Sequence, residues 1–298
     1  MVSTKIKESR EDRIFSFAVY FLGTLLLLLV AYPLIYVISA SLSDPLDIIT
    51  GKLILFPKKL QLRAFHAVFK SNDLLTGYRN TILYAFTGTM INLILTTTGA
   101  YSLSRSDMVG RTFITFLISF TMFFSGGMIP TYIVIKNLGL IDTYWVMVLP
   151  GAISATNLLI MRNYFQHSVP QEIIEAAYMD GCTNVGTLIR VVIPVSKSIL
   201  AVMVIFYMVG HWNSYFHALL YLNKRSRYTL QVFLREILIK NELGDMGAGS
   251  ETGTVEMTLL YESLKYAVIV VSALPMMVFY PFMQRYFVKG VMIGSIKG

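Results

Sequence analysis

The chain has 298 residues, of which 55% are hydrophobic and only 14% are charged. Soluble domains carry about 25% charged residues, so the composition excludes a soluble enzyme, a disordered chain and a collagen-like chain. Because the chain is so apolar, we attribute its net charge of +8 to loops that face a lipid bilayer rather than to nucleic-acid binding. The single cysteine, Cys182, excludes an intramolecular disulfide and a multi-cysteine metal site.

Six apolar segments are long enough to cross a bilayer as helices, which requires about 20 mostly apolar residues each. They predict an all-α polytopic membrane protein with a single transmembrane domain over residues 1–298. Pro150 and Gly151 interrupt the fourth segment, and Pro275 and Pro281 predict a kink in the sixth. The segments are 14–38, 80–104, 112–135, 143–161, 195–222 and 266–287.

The distribution of basic residues predicts the orientation of these spans. The first apolar run is too long for the core of a signal peptide, so we expect it to be retained as a span. An even number of spans places both termini on one side, and both the leader and the tail are rich in basic residues. The positive-inside rule therefore predicts that both termini are cytoplasmic.

Two loops on the opposite side, 39–79 and 223–265, are too long to be simple connectors. The second contains the glycine-rich stretch 244–253, and it is either an adaptable surface for another protein or a flexible linker. The first is expected to contain a short interfacial helix, because four apolar residues recur at helical spacing. These residues are Leu62, Phe65, Val68 and Phe69.

The segment 163–194, between the fourth and fifth spans, is predicted to be cytoplasmic. Ser168, followed by Pro170 and Gln171, is typical of a helix start of the capping-box type. The stretch 172–179 then favours a helix. The segment is too short and too polar to cross the membrane.

Gly181 can end this first helix with a positive φ or allow another backbone to approach closely. A second short helix is expected over 184–192 and should stop before Pro194. The two helices would form a knob whose apolar face packs on the helical bundle. The residues expected on that face are Ile173, Ala176, Ala177, Leu188, Ile189 and Val192.

The same segment resembles the EAA motif of ABC importer permeases. The resemblance rests on Glu175-Ala176-Ala177, on Gly181 after three further residues, and on Ile193-Pro194. The pair Trp212-Asn213 and the stretch 285–290 resemble the maltose-type carbohydrate branch, and within it the smaller six-span subunit. The ending 289–298 resembles the sub-branch that imports complex oligosaccharides, including those derived from alginate and pectin.

This resemblance implies a coupling helix that seats in a cleft of a cytoplasmic ATPase subunit. It places Glu175, Ala176, Ala177, Asp180 and Gly181 at that contact. The implied partners are a second, homologous permease subunit in a heterodimer, two ATP-binding subunits and an extracytoplasmic solute-binding protein. The sequence contains no G-x-x-x-x-G-K-[ST] phosphate loop. We therefore expect ATP and magnesium to bind to the partner subunits and this chain to be non-catalytic.

Polar side chains within spans are costly unless they face a cavity or another helix, so they are candidates for a substrate path. Sugars combine hydroxyl edges with apolar ring faces, which suits amide or imidazole groups beside aromatic rings. The candidates are His211, Trp212, Asn213, Tyr215, Asn157 and Asn92. For Trp212 and Tyr215 the alternative is an aromatic belt at the membrane interface. Thr96 and its neighbours are expected to serve helix packing.

The function predicted on these grounds is that of a permease subunit in an ATP-driven oligosaccharide importer. The alternative is an ion-driven secondary transporter of a small polar solute. Such transporters normally carry buried acidic residues in their spans, whereas none of the six predicted span cores contains Asp or Glu. The four histidines show no spacing typical of a metal site.

Overall fold

The computed structural model describes residues 9–246 and 255–295, and all regular structure within these ranges is helical. The first helices are α1 (Arg10–Ser41), α2 (Pro45–Ile49), α3 (Arg63–Lys70), α4 (Asn72–Ser104), α5 (Arg111–Phe123), α6 (Met128–Asn137) and α7 (Ala155–Ser168). They are followed by α8 (Gln171–Met179), α9 (Asn184–Thr187), α10 (Ile193–Val195), α11 (Lys197–Trp212), α12 (Phe216–Tyr221), α13 (Leu230–Met246) and α14 (Val255–Ser295).

The described residues fall into two compact units. One lies within Met1–Lys70 and Ile237–Val271, and the other lies within Ser71–Glu236 and Ser272–Gly298. In the second unit, one apolar core is formed mainly by residues of α4, α7 and α11, including Met161 and Met203. A separate core lies around Tyr84 of α4 and Val148. The helix α4 therefore contributes to both cores.

Several helices in the described part of the chain are suited to a bilayer. Three are long and apolar enough to cross alone: Arg10–Ser41, Asn72–Ser104 and Tyr261–Gln284. Two further pairs of helices pass the same test only when each pair is taken together, and both pairs are sharply bent. The fold class predicted from composition, an all-α polytopic membrane protein, is confirmed.

The helix α1 contains the first predicted span, 14–38, and extends beyond it at both ends. Ser9 caps its first turn by accepting from the backbone N–H of Asp12, whose carboxylate accepts from the N–H of Ser9 in return. The helix continues through Pro33, and its most apolar stretch has no buried residue within the chain. An uncovered apolar helix of this length is suited to lipid or to another membrane chain.

The third predicted span is not one helix, because α5 and α6 meet at an angle of 116°. The residues between them, 124–127, are not helical, and Gly127 has a φ of +83°. Such a φ is readily available to glycine but costly for other residues. Pro130 then lies in the first turn of α6, where its missing N–H removes no intrahelical hydrogen bond. The prediction of a continuous helix over 112–135 is therefore wrong.

The fourth predicted span begins as irregular backbone. It contains a short 3₁₀ turn at Trp145–Met147 and a turn at Gly151, where φ is +74°. The helix α7 begins only at Ala155 and continues to Ser168. Ser168 thus ends a helix rather than starting one, which corrects the predicted capping box. The reason is Pro170, which disfavours helical geometry at the preceding residue, and Val169 is indeed extended.

The fifth predicted span is also divided, with α11 and α12 separated at residues 213–215. The helical path before α11 does not stop at Pro194, as predicted, but continues through α10. It ends at Ser196, whose backbone N–H donates to the carbonyl oxygens of Val192 and Ile193. The segment Asn184–Val195 then meets α11 at an angle of 87°.

The first long loop contains the predicted short helix as α3. Its Val68 is buried, but Leu62 before the helix and Phe69 within it are exposed, so the expected apolar face is only partly covered. The last helix, α14, is continuous from Val255 to Ser295, and both prolines lie inside it. A continuous helix can still bend, so the predicted kink stays a prediction.

The first part of the second long loop forms the helix α13 rather than an irregular linker, and its contact with another protein stays a prediction. The buried side chains at the start of α13 include Leu230 and Phe233. A Cβ atom at Gly77 of α4 would lie 2.6 Å from Cδ2 of Phe233, so the two helices touch where no side chain intervenes. Residues 247–253 of the glycine-rich stretch lie outside the described residues.

Asp142, in the loop after α6, bonds that loop to the segment after α12. Its Oδ1 accepts from the backbone N–H groups of Asn223 (3.2 Å) and Lys224 (3.1 Å), and Arg227 lies 3.4 Å from Oδ2. Its own N–H donates to the carbonyl oxygen of Tyr221 at 2.8 Å. Desolvation opposes ionisation of this carboxyl, but the two N–H donors and the neighbouring cations lower its pKa below the usual value.

Replacing Asp142 with Ala should lower the free energy of unfolding by about 1–3 kcal/mol, because two backbone donors lose their acceptor. Asp142→Asn keeps an acceptor oxygen and tolerates the positive φ of 54°, so its loss should be smaller. Thermal and denaturant unfolding of the detergent-solubilised chain measures both variants. Equal stability of Asp142→Ala and the parent chain would contradict this role.

Candidate functional site

The segment 163–194, named here the EAA loop, contains two short helices joined by a tight turn. The first is α8, which follows Pro170, and the second is α9, capped by Thr183, whose Oγ1 accepts from the N–H of Gly186 at 3.2 Å. The chain then widens into a π-helical turn at Leu188–Val192 before α10. The predicted pair of helices is confirmed, with the second one irregular.

Gly181 makes the turn between α8 and α9 possible. Its φ is +78°, and its N–H donates to the carbonyl oxygen of Tyr178 at 2.9 Å. The N–H of Cys182 closes the helix by donating to the carbonyl oxygen of Ala177 at 2.9 Å. A Cβ atom at Gly181 would meet nothing within 4 Å. Within the described chain, glycine is therefore required here by the positive φ of the turn and not by close packing.

The predicted contact residues of the EAA loop divide between its two sides. Ala177 is buried against the chain, whereas Glu175, Ala176, Asp180 and Gly181 are exposed. Large apolar side chains are exposed beside them, with Met179 at 89% and Val185 at 65%. The outer side of the loop therefore presents carboxylates and apolar groups that no other part of the described chain covers.

The inner face of the loop differs in part from the prediction. Of the six residues expected to pack on the bundle, Ala177, Leu188 and Val192 are buried. The other three, Ile173, Ala176 and Ile189, are exposed. The π-helical turn breaks the regular helical spacing on which the prediction depended. On α8 the half-buried neighbour of Ile173, which is Ile174, makes the contact with the core.

Arg105, at the end of α4, contacts the EAA loop through Tyr178. Its guanidinium lies over the ring of Tyr178, 4.9 Å from the ring centre, and donates to the Tyr178 hydroxyl. Tyr178 in turn donates to Oδ1 of Asn184 at 2.7 Å, which joins α8 to α9. No local spacing marks Arg105 and Tyr178 as partners, because 73 residues separate them. The only feature of the sequence that points to Arg105 is Asp107, an acidic residue two positions later.

Asp107 fixes the orientation of Arg105. Its two carboxylate oxygens accept from Nε and Nη2 of Arg105 at 2.7 and 2.6 Å. These hydrogen bonds lower the pKa of the Asp107 carboxyl and raise that of the Arg105 guanidinium. Both groups thus stay charged, and the planar guanidinium is held in one direction, toward Tyr178.

The helix α7 joins α4 beside this cluster. Nε of Arg162 donates to the carbonyl oxygen of Leu103 at 3.1 Å, and Nε2 of Gln166 donates to that of Ser104 at 3.4 Å. These carbonyls belong to the last turn of α4, where no intrahelical donor is available. A groove of about 360 Å³ lies between this helix end and α8, and Glu175 is among its lining residues.

In the interior, Asn92 of α4 pairs with His211 of α11. The Asn92 amide lies 3.0 Å from Nε2 of His211. With the Asn92 oxygen accepting from His211, the amino group also donates to the carbonyl oxygens of Gly88 (2.8 Å) and Ala152 (3.2 Å). Asn92 is buried, and the expected packing role of Thr96 is confirmed by its hydrogen bond of 2.6 Å to the Tyr207 hydroxyl.

The other candidates for a substrate path do not gather around this pair. Trp212 is buried, and its Nε1 donates to the carbonyl oxygen of Ser272 at 3.1 Å. Asn213 is exposed at the end of α11, and its amide donates to the carbonyl oxygen of Val209. The ring of Tyr215 lies under the Arg235 guanidinium, with 4.5 Å between them. Asn157 is half-buried in the first turn of α7.

Comparison with known proteins gives concordant matches over nearly the whole chain. The family model described as "Binding-protein-dependent transport system inner membrane component" matches residues 92–293. The polygalacturonan/rhamnogalacturonan transport system permease protein YtcP of Bacillus subtilis (strain 168) is 38% identical over 97% of this chain and 100% of the relative. Protein LplC of the same organism is 40% identical over 89% of each chain.

A crystal structure supplies a match of fold as well as sequence. It is that of a bacterial ABC transporter involved in the import of the acidic polysaccharide alginate. One of its chains superposes with a TM-score of 0.83 at 33% sequence identity. The match covers 95% of the present chain and 100% of that chain.

The contact of His211 with α4 generates a prediction for Gly88. A Cβ atom there would lie 2.3 Å from Nε2 of His211, so Gly88→Ala should displace the ring and break its contact with Asn92. Overpacking of this kind costs about 1–3 kcal/mol of unfolding free energy. Gly210→Ala is the matched control, since a Cβ atom on that helical glycine meets nothing within 4 Å. Thermal unfolding in detergent that ranks the two variants equally would contradict the prediction.

Proposed function

Because the chain belongs to the family of inner membrane components of binding-protein-dependent transport systems, we propose that it is a permease subunit of an ATP-driven importer of acidic oligosaccharides. The observation that carries the proposal is the match over nearly the full length of both chains to a polygalacturonan/rhamnogalacturonan permease. The match in fold to a chain of an alginate importer supports the same class of substrate. Oligosaccharides derived from pectin or alginate are thus the proposed cargo.

The energy for transport would come from other chains. We propose that two ATP-binding subunits hold ATP and magnesium, since this sequence has no phosphate loop of the G-x-x-x-x-G-K-[ST] type. A second, homologous permease subunit would complete the path as a heterodimer. A solute-binding protein would deliver the sugar to the side opposite the EAA loop, and both termini would be cytoplasmic.

The EAA loop is the proposed contact with the ATP-binding subunits. Glu175 is exposed and lines the groove beside the end of α4, and Asp180 is exposed at the end of α8. Met179 and Val185 add exposed apolar surface on α8 and α9. A mixed surface of this kind suits a cleft with apolar walls and basic side chains. Ala177 has the different role of holding α8 against the rest of the chain.

The contacts of Arg105 supply a path for movement of the EAA loop. A shift of α8 would displace Tyr178, and Tyr178 would carry Arg105 and the end of α4 with it. Along α4, Asn92 and Thr96 are bonded to α11, so the two helices would move together. Alternating access in this scheme is a shift between two packed arrangements that the ATP-binding subunits favour in turn.

For the substrate path, Asn213 is the strongest of the proposed residues. It is exposed where α11 ends, next to the non-helical residues that separate α11 from α12, and part of its amide is free to bind a hydroxyl group. His211 and Asn92 already bond each other, and Trp212 bonds the backbone of α14. These three would shape the path by positioning helices rather than by binding sugar directly.

The proposed function is tested by ATP hydrolysis of the purified complex in nanodiscs. Binding protein loaded with oligogalacturonides should stimulate hydrolysis, whereas binding protein mixed with neutral malto-oligosaccharides of equal length should not. Stimulation by the neutral sugars alone would overturn the substrate class. Uptake driven by an ion gradient without ATP would overturn the importer itself and support a secondary transporter.

Glu175→Lys should uncouple transport from ATP hydrolysis. A reversed charge at a basic cleft costs at least about 1.4 kcal/mol, so uptake should fall on the order of tenfold while the chain still inserts and folds. Glu172→Lys is the control, because it makes the same change on an exposed residue of the same helix outside the motif. Equal uptake by both variants and the parent complex would count against a coupling role for Glu175.

A further inference from the structure

The segment 51–70, which follows α2 and includes α3, has an unusual combination of charge and hydrophobicity. It contains no Asp or Glu. Its side chains are otherwise mostly apolar, and three of its large apolar residues are phenylalanines. The five basic residues are Lys52, Lys58, Lys59, Arg63 and Lys70. We name residues 51–70 the basic–apolar segment.

The apolar and basic side chains of this segment are exposed together. Ile54, Phe56 and Leu60 are exposed to 70%, 75% and 74% of their surface. All five basic residues are exposed as well, and none of them forms an ion pair with any part of the chain that the structure describes. Transfer of the three exposed apolar side chains from water to an apolar phase is favourable, because it removes apolar surface from water.

The exposure is not a result of a loosely held segment. Leu53, Ala64 and Val68 are buried, so the segment has an inner face that packs and an outer face that does not. Asp47 contributes by accepting from the N–H groups of Lys52 and Leu53 through its backbone carbonyl. The outward direction of Ile54 and Phe56 is therefore set by the fold.

Hydrogen bonds hold the segment at the level of the last turn of α1. Oγ of Ser39 donates to the carbonyl oxygen of Leu55. The N–H of Gln61 donates to the carbonyl oxygen of Leu42 at 2.8 Å, and its Nε2 donates to Oδ2 of Asp44 at 2.9 Å. Because the apolar run of α1 extends to Ile38, these bonds place Leu55 and its two neighbours beside the C-terminal end of that run.

We propose that the basic–apolar segment is a lipid anchor, which inserts its outer apolar side chains into the leaflet next to the C-terminal end of α1. Ile54, Phe56 and Leu60 would lie at the boundary between headgroups and acyl chains, a depth typical of interfacial segments. The five basic residues would bind the phosphates of anionic lipids. This site depends only on the chain being a membrane protein and not on the cargo or the energy source.

Two features of the basic–apolar segment favour a lipid surface over a protein as its partner. The segment carries five positive charges without one carboxylate, which complements the uniform negative charge of an anionic bilayer. A protein partner at the same level as α1 would have to bury five cations against matching acids, whereas headgroups leave the charged ends hydrated. Asp44, which contacts the segment, accepts a hydrogen bond from the Gln61 amide rather than forming an ion pair with one of these basic residues.

Site-directed spin labelling of the complete transport complex tests the anchor. Cys182 is the only cysteine, so Cys182→Ala gives a background for Phe56→Cys and Leu60→Cys, each at an exposed position. The labelled complex is placed in nanodiscs of phosphatidylcholine alone or of an equimolar mixture with phosphatidylglycerol. Both labels should collide more often with oxygen than with a water-soluble nickel chelate, and phosphatidylglycerol should strengthen this preference.

Two controls make the result specific. Val109→Cys labels another highly exposed apolar residue, in the polar loop between α4 and α5, and should be accessible to the nickel chelate in both lipids. Adding Lys58→Gln and Lys59→Gln to Phe56→Cys should abolish the effect of phosphatidylglycerol. Adding Lys136→Gln, which changes an exposed lysine outside the segment, should leave that effect intact.

Access of the nickel chelate to residues 56 and 60 in every lipid composition would overturn the proposal. Shielding that appears only after the solute-binding protein is added would also overturn it, in favour of a protein docking surface. Neither result affects the importer, which is tested by ATP hydrolysis. Conversely, labels that insert into anionic nanodiscs support the anchor even if the complex hydrolyses no ATP.

Discussion

The arrangement of the helices depends on buried polar side chains of α4 that bond side chains of α11. Asn92 and Thr96 are buried, and they bond His211 and Tyr207 across the contact between the two helices. In an apolar interior a polar group without a partner costs several kcal/mol. A slide of one helix by a single turn would break both of these hydrogen bonds. Apolar packing sets the distance between α4 and α11, and these hydrogen bonds set their register.

The same helix connects two distant groups of loops. At its N-terminal part, Asn80 donates to the carbonyl oxygens of Ser226 and Tyr228, and Thr81 accepts from the N–H of Leu230. At its C-terminal end, Arg105 reaches the EAA loop. The helix has 33 residues and spans about 50 Å as a rigid element. Loops at opposite ends of α4 are thereby joined to one helix, so a local shift at one end can have an effect at the other.

The parts of the fold that could be predicted are those that neighbouring residues decide. A long apolar run predicts α1 and most of α4, because length and composition alone make such helices stable in a bilayer. The turn at Gly181 was predictable, because glycine readily adopts the positive φ that most other residues avoid. The division of the third span was missed, although Gly127 and Pro130 marked it, because an apolar run has the same composition whether it forms one helix or two.

The interactions between distant residues could not be predicted in the same way. The pair of Arg105 and Tyr178 and the pair of Asn92 and His211 each join residues far apart in the sequence. His211 and Asn92 were identified as polar groups within spans, but nothing local showed that they bond each other. The six candidates for a substrate path consequently separate in the fold into bonded interior residues, two half-buried residues and the exposed Asn213.

The break between α5 and α6 has a consequence for the chain as a membrane protein. With 13 residues, α5 is about 20 Å long, so the non-helical backbone of 124–127 would fall inside a hydrocarbon layer about 30 Å thick. Lipid cannot satisfy peptide groups there, and irregular backbone at such depth is tolerated only against protein or water. In a bilayer, the peptide groups of 124–127 in a single chain would therefore lack hydrogen-bond partners. Contact with a neighbouring chain, or a water-filled channel beside the break, would supply them.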